Sequence, residues 1–122
     1  MSAYGDLDSA KPLPIWDGLL ARAVEGEQST LAVIELAPDI SVPEHSHANE
    51  QLGVLIEGSV TFTIGGEVKE LGPGETWRIL GDVPHSVIAG PNGAVVVESF
   101  APARADWDGR ERLAPRPPRW PS

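Results

Sequence analysis

The chain has 122 residues, a length that fits one domain with a single core. Its formal net charge of −9 argues against a nucleic-acid partner, and the absence of cysteine excludes disulfides, thiolate metal sites and cysteine nucleophiles. No apolar run approaches the roughly 20 residues of a membrane helix, and the first residues do not resemble a secretory signal, so we expect a cytoplasmic protein with no membrane partner.

Short apolar and β-branched runs, separated by glycine and proline, predict an all-β domain. Gly65-Gly66 predicts a two-residue hairpin, because glycine accepts the positive φ angles of such turns. Gly58 predicts a tight bend, and Pro91–Gly93 predicts a turn. The predicted strands are Leu19–Val24, Thr30–Ala37, Gln51–Glu57, Val60–Ile64, Glu67–Leu71, Thr76–Leu80, His85–Ala89 and Ala94–Phe100.

The ends of the chain differ in composition from its centre. We predict an N-terminal arm over residues 1–18, a β-barrel over 19–100 and a Pro/Arg-rich tail over 101–122. Trp107 and Trp120 indicate that part of this tail docks on another surface. The runs Leu52–Ile56 and Ala94–Val97 are apolar on both faces, which fits a barrel wall covered by a second subunit. We therefore expect a homodimer.

All three histidines of the chain can meet at one predicted site. His45 and His47 share a face if the segment is extended, because alternate residues of a strand point the same way. Gln51 has the same parity, whereas Glu50 has the opposite one, and His85 begins another predicted strand. Three imidazoles and an amide oxygen suit a divalent cation. Two histidines one residue apart also occur by chance, and a loop after His47 would remove the parity argument.

These residues resemble the two sequence motifs of the cupin superfamily, here of the small single-domain type. The resemblance implies an all-β double-stranded β-helix (a jelly-roll barrel) that is commonly a homodimer. It also implies one divalent transition metal (nickel, zinc, iron, cobalt or manganese) held by His45, His47, Gln51 and His85. The matching residues are His45-Ser46-His47, Gln51 and Gly58 in the first motif, and Pro73-Gly74-Glu75 and Val83-Pro84-His85 in the second.

The chain departs from the cupin pattern at three positions. Asp39 stands in place of a glycine and Ala89 in place of a frequent asparagine, and both departures concern turns. Gln51 replaces the glutamate that is usual among the metal ligands. A neutral ligand set leaves about two positive charges on a divalent cation, which suits a substrate that brings its own carboxylate or enediolate oxygen.

The end of the last predicted strand is similar to a second, narrower pattern. Small cupins of pectin and alginate degradation, of the KdgF type, have a glutamine ligand and an acid-x-Phe-x-Pro-x-Arg segment. Glu98, Phe100, Pro102 and Arg104 match this segment, with glutamate in place of aspartate. Such proteins linearise 4,5-unsaturated uronates to the open-chain keto acid.

This narrower resemblance implies roles for individual side chains in uronate metabolism. Glu98 would move a proton and Arg104 would pair with a substrate carboxylate, so both are candidate catalytic residues. Phe100 would form a wall of the substrate pocket. Trp77 is a candidate substrate-binding residue, although packing in the core is the more common role of a strand tryptophan.

Three classes of function remain open on the sequence. We expect a metal-dependent lyase- or isomerase-type enzyme that acts on a small, anionic, sugar-acid-like substrate. A second hypothesis is another cupin chemistry, either a dioxygenase or a polyketide cyclase. A third hypothesis is a non-catalytic cupin that binds a small molecule.

Overall fold

The structure is a computed structural model that describes residues 2–121. It contains eight β-strands and one short 3-10 turn, Ala105–Trp107. The strands are β1 (Leu13–Trp16), β2 (Leu19–Glu25), β3 (Thr30–Leu36), β4 (Ser41–His45), β5 (Glu50–Ile64), β6 (Glu67–Leu71), β7 (Thr76–Ile79) and β8 (His85–Ala101).

Two long strands, β5 and β8, pair antiparallel along both of their halves and belong to two sheets. In one sheet the strand order is β1-β2-β3-β8-β5-β7, and in the other it is β4-β8-β5-β6. The apolar inner faces of the two sheets form a single core. This arrangement confirms the predicted all-β jelly-roll fold.

Both long strands bend where glycines face each other. Gly58 has a φ of +84° and Gly93 a φ of +68°, values that side chains disfavour. A Cβ atom at Gly58 would lie 2.1 Å from the carbonyl oxygen of Gly93. The sequence predicted turns that separate pairs of shorter strands at these positions. Instead the ladder continues, with irregular register on both sides of Gly58.

The sequence prediction missed β1 and β4. Each contains a proline, Pro14 or Pro43, and proline argues against a strand because it lacks a backbone N–H. Both strands lie at sheet edges, where a missing donor faces no neighbour, since β1 pairs with β2 and β4 with β8. Strand β1 falls within the segment predicted as the N-terminal arm.

The C-terminal tail packs on the outer face of the larger sheet through arginines. The side chain of Arg22 is buried, and its Nη1 lies 2.7 Å from Oε2 of Glu35. Its Nη2 donates to the carbonyl oxygen of Arg116 over 3.3 Å. The backbone N–H of Arg119 donates to the same Glu35 oxygen over 2.7 Å, and its Nε lies 2.6 Å from Oε1 of Glu57.

This tail explains part of the apolar outer face. Val33 and Val95 are 9% and 0% exposed although both lie outside the core cluster. Val95 pairs with Glu35 and Val33 pairs with Arg22, and the tail contacts both Glu35 and Arg22. At these two valines the tail therefore contributes cover to the outer face.

Within residues 2–121, the structure contains no helix with the length and apolar character needed to cross a bilayer.

We predict that Trp107→Ala lowers the free energy of unfolding by about 3–5 kcal/mol, the usual cost of truncating a buried aromatic residue. The Trp107 side chain is 2% exposed and its ring centroid lies 5.2 Å from that of Phe100. Urea denaturation followed by circular dichroism measures the change. Tyr4→Ala is the matched control, because Tyr4 is 91% exposed and its truncation leaves the midpoint unchanged.

Candidate metal centre

Three histidines lie together at one end of the barrel. His45 ends β4 and pairs in register with His85, the first residue of β8. His47 lies in the loop between β4 and β5. One ring nitrogen from each side chain falls within 4.8 Å of the others. The pairing of β4 with β8 thus brings together histidines that are 40 positions apart.

The backbone fixes the proton on each imidazole. Nδ1 lies 2.8–2.9 Å from a carbonyl oxygen two residues away in all three cases: Pro43 for His45, Asn49 for His47 and Val83 for His85. A carbonyl oxygen can only accept, so Nδ1 carries the proton and Nε2 keeps a lone pair. A hydrogen bond of this kind orients the imidazole as a metal ligand.

His85 presents a buried nitrogen that lacks a hydrogen-bond partner. Its Nε2 is inaccessible to solvent and bonds to no atom of residues 2–121. Burial lowers the pKa of His85 to about 4, with smaller contributions from neighbouring positive groups, so the ring is neutral at pH 7. A buried nitrogen lone pair without a donor is costly unless something binds it.

Gln51 supplies an oxygen next to these nitrogens. Its Oε1 lies 3.1 Å from Nε2 of His47. Burial, and then the positive charge of Arg104, lower the pKa of His47 and favour its neutral form, in which the hydrogen bond to the carbonyl oxygen of Asn49 places the proton on Nδ1. Two lone-pair atoms therefore face each other without a proton between them. Their 3.1 Å spacing is that of neighbouring ligands whose bonds to one cation are about 2.1 Å long.

The four side chains fit a divalent transition metal. Imidazole nitrogen and amide oxygen are suitable ligands for such a metal. A cation would bind the unpartnered Nε2 of His85, and it would also bind the facing lone pairs of His47 and Gln51. Glu50, the neighbouring candidate for the fourth ligand, is exposed at the start of β5. The structure therefore favours Gln51 over Glu50, as the parity argument did, although His47 lies in a loop.

Glu98 lies behind Gln51 and is buried. Its Oε2 accepts hydrogen bonds from Nε2 of Gln51 and, over 2.7 Å, from Nε1 of Trp77. Burial raises the pKa of Glu98, while these two hydrogen bonds and Arg104 act in the opposite direction. Trp77 packs on Phe62, with 4.8 Å between ring centroids, and lies behind the cavity wall.

Arg104 follows β8 and reaches back over the cavity. Its Nε and Nη2 donate to Oδ1 and Oδ2 of Asp106, both over 2.9 Å. Its guanidinium carbon lies 4.8 Å from the ring centroid of Phe100 and 4.6 Å from that of Trp107. Its backbone N–H donates to Oγ1 of Thr30. The charge of Arg104 is therefore held in place on several sides.

All these groups border one cavity of about 340 Å³. The predicted ligands, Glu98, Phe100 and Arg104 all line it, together with residues that the sequence did not assign to the site. Trp16 is one of them; its ring lies 5.5 Å from that of His45, and it was not assigned because β1 was not predicted. Asp106, Trp107 and Arg110 of the tail also line the cavity, although only the tryptophan had indicated docking.

The match to a family model agrees with this geometry. Residues 32–99 match the model described as "Cupin domain", Cupin_2. This segment is more than half of the chain, and it contains all four candidate ligands. The chain belongs to the cupin family.

Two curated relatives match the central part of the chain. The dimethylsulfoniopropionate lyase DddW of Ruegeria pomeroyi is 33% identical over 73 residues, which cover 60% of this chain and 48% of the relative. The pectin degradation protein KdgF of Dickeya dadantii is 28% identical over 68 residues, 56% of this chain and 62% of the relative. The matches span less than two thirds of either relative.

Solved structures share the fold. An RmlC-like cupin from Shewanella frigidimarina superposes with a TM-score of 0.80 at 20% identity, covering 88% of this chain and 96% of the other. KdgF from Halomonas sp. gives a TM-score of 0.79 at 17% identity, with coverages of 87% and 98%. The polyketide cyclase RemF of Streptomyces resistomycificus gives 0.72 at 24% identity, with 95% and 84%.

We predict that Gln51→Ala weakens metal binding by at least the roughly tenfold that loss of an outer-shell partner costs. Glu50→Ala is the control, because it removes a neighbouring acid that faces solvent. Titration of the metal-free protein with Zn²⁺ against a competing chelator gives both affinities. An equal loss in the two variants would show that charge, and not coordination, sets the affinity.

Proposed function

We propose that this cupin is a metal-dependent enzyme that acts on a small carboxylate, most simply a sugar acid. The observation that carries the proposal is the arrangement of a buried acid, Glu98, and a fixed cation, Arg104, around a set of neutral metal donors.

The neutral donors support an anionic substrate. Three imidazoles and one amide cancel none of the charge of a divalent cation, so the cavity would retain about two positive charges. The cation would supply Lewis acidity beside the bound substrate. Arg104, which lines the same cavity, adds a further positive charge.

Arg104 is proposed to bind the substrate carboxylate. Asp106 accepts from Nε and from one N–H of Nη2, so the other N–H of Nη2 and both N–H groups of Nη1 have no partner among residues 2–121. Asp106 is largely exposed, with 61% of its side chain accessible, so it can also move aside for a stronger anionic ligand. The neighbouring rings of Phe100 and Trp107 both contact the guanidinium and exclude water from that side.

Glu98 is proposed to move protons. Both of its hydrogen bonds within residues 2–121 converge on Oε2, so Oε1 remains for a substrate or a water molecule. Burial raises its pKa above that of an exposed glutamate, which is the direction a carboxyl group needs to act as a general acid.

Linearisation of a 4,5-unsaturated uronate would use these groups directly. The anomeric hydroxyl loses a proton, the bond between C1 and the ring oxygen breaks to leave an aldehyde and an enolate, and C4 of this enolate gains a proton. The product is an open-chain keto acid, with no atoms gained or lost. Glu98 would exchange these protons while Arg104 holds the carboxylate. The similarity to the pectin degradation protein KdgF supports this substrate class.

A second candidate reaction is the elimination of a leaving group from a small carboxylate. The similarity to a dimethylsulfoniopropionate lyase supports it. That substrate also carries a carboxylate, and its elimination also begins with removal of a proton. Its sulfonium cation, however, would enter a cavity that already contains Arg104 and the metal, which disfavours it.

We predict that the metal-loaded protein accelerates ring opening of 4,5-unsaturated galacturonate. Proton NMR follows the loss of the ring alkene signal, and dimethylsulfoniopropionate is assayed in parallel. Absence of acceleration over buffer, in protein shown to contain metal, excludes the linearisation. Release of dimethyl sulfide would instead select the second candidate.

We predict that Arg104→Ala lowers kcat/KM for a carboxylate substrate by about 10- to 100-fold, the value of one charged hydrogen bond. Arg78→Ala is the matched control, because it removes an exposed arginine from β7, outside the cavity. Equal rates for Arg104→Ala and the unaltered protein would exclude the proposed carboxylate site.

We also propose that the larger sheet forms a homodimer through a row of exposed side chains. Val24, Leu31 and Leu52 are 61%, 45% and 42% exposed. Val24 pairs with Leu31, and Ser99 of β8 pairs with both Leu31 and Leu52, so the row crosses four strands on the outer face. The tail contacts lie elsewhere on that face, which leaves this row uncovered.

We predict that Leu31→Glu makes the protein monomeric, because a charge at the centre of an apolar contact opposes association. Light scattering coupled to size-exclusion chromatography gives the mass. Val68→Glu, on β6 of the other sheet, is the matched control because Val68 is 64% exposed. A monomeric unaltered protein would exclude the proposed interface.

A further inference from the structure

We propose that Glu98 is a positioning residue that holds the side-chain amide of Gln51 with its oxygen toward the metal, and that Trp77 and Gly53 in turn hold Glu98. This inference rests on the proposed metal centre, in which Gln51 is the oxygen ligand. It explains why the chain has an amide where the family motif has glutamate.

An amide ligand has an orientation problem that a carboxylate lacks. The oxygen and nitrogen of a glutamine side chain are nearly equal in size and lie on opposite sides of the same carbon. If the group turned over, Gln51 would present two N–H donors to His47 and to a cation. Neighbouring hydrogen bonds must therefore select one orientation, and an acceptor on the far side of the amide does so.

Glu98 provides this acceptor. Its Oε2 accepts from Nε1 of Trp77 over 2.7 Å, and an indole N–H can only donate. The same oxygen bonds to Nε2 of Gln51, so the amide nitrogen faces Glu98. The amide oxygen then faces the histidines, 3.1 Å from Nε2 of His47.

Gly53 makes room for this network. Trp77 on β7, Gly53 on β5 and Glu98 on β8 are direct neighbours in register across three strands. The indole therefore crosses β5 to reach the carboxylate. A Cβ atom at Gly53 would lie 2.2 Å from Cε2 and 2.3 Å from Nε1 of the indole. Any other residue at this position would displace Trp77 from Glu98.

The network couples the identities of residues 51 and 98. With an acid at 98, a donor is required at 51, because two buried carboxylates in contact repel each other. Glutamine satisfies both sides at once, since it donates to Glu98 and offers its oxygen to the cation. A glutamate at position 51 would conversely need a hydrogen-bond donor at position 98. The exchanged pair, glutamate at 51 and glutamine at 98, therefore also places a donor opposite an acceptor.

Zn²⁺ affinity, measured by chelator competition without substrate, tests the coupling. We expect Glu98→Leu to weaken Zn²⁺ binding about 10- to 100-fold, the usual cost of losing an outer-shell partner. Glu98→Gln should stay within a few-fold of the unaltered protein, because the introduced carbonyl oxygen can still accept. Gln51→Glu should bind weakly, and the double variant Q51E/E98Q should recover affinity.

The absorption of bound Co²⁺ adds a readout that loss of packing would not mimic. We expect Glu98→Gln to keep the spectrum of the unaltered protein and Glu98→Leu to change it. Circular dichroism verifies folding, and if Glu98→Leu does not fold, the comparison of Q51E with Q51E/E98Q decides. Unchanged Zn²⁺ affinity in Glu98→Leu, or no recovery in the double variant, overturns the inference.

The same variants separate this inference from the proposed function. Glu98→Gln keeps an acceptor but cannot exchange a proton, so it should bind Zn²⁺ and lose uronate turnover. If the unaltered protein shows no turnover at all, the proposed reaction fails while the affinity comparison still stands. If Gln51→Ala binds Zn²⁺ normally, the ligand set itself is wrong and the inference falls with it.

Discussion

The antiparallel pairing of β5 with β8 is the constraint on which the rest of the molecule depends. These two strands belong to both sheets, and their shared bend at Gly58 and Gly93 turns one sheet over the other. The same register sets Gln51 opposite Phe100 and Gly53 opposite Glu98. Moving one strand by a single residue would turn each of these side chains to the other face. The barrel and the site are thus products of one alignment.

The site concentrates buried polar groups, which lowers the stability of the fold unless each group has a partner. Gln51, His85 and Glu98 are each less than a tenth exposed, in a cavity whose lining mixes apolar and polar side chains. Glu98 is compensated by two donors, whereas Nε2 of His85 is not compensated by residues 2–121. Binding of a cation at this site would therefore stabilise the fold, because the cation would satisfy a group that residues 2–121 leave without a partner.

Turn chemistry and apolar runs predicted an all-β domain, and the resemblance to the cupin motifs implied the jelly-roll fold and the four candidate ligands. Histidines and glutamine at fixed distances from glycine and proline form a local pattern, so they are visible in one sequence. Strands β1 and β4 were missed because proline at a sheet edge has the same local signature as proline in a loop. The continuity of β5 and β8 was missed because a bend and a turn use the same glycines.

Contacts of the tail were beyond prediction for a different reason. Asp106 and Arg110 are charged residues in a proline-rich segment, and nothing in their spacing shows that they border a cavity. Asp106 is coupled to Arg104 by the 3-10 turn between them, a geometry without sequence periodicity. The docking of Trp107 was indicated by composition alone, while its position beside Phe100 depends on the tertiary fold.

The candidate metal ligands and the other polar residues of the cavity lie in different parts of the chain, which affects how such a protein can diversify. Three of the four candidate ligands lie on strands and the fourth lies in the loop between β4 and β5, whereas Arg104, Asp106, Trp107 and Arg110 belong to one contiguous segment after β8. Insertions and replacements are tolerated most easily in such connecting segments. A lineage could therefore exchange the wall that selects the substrate in one step and inherit the metal chemistry intact. Closely similar barrels could then serve unrelated pathways.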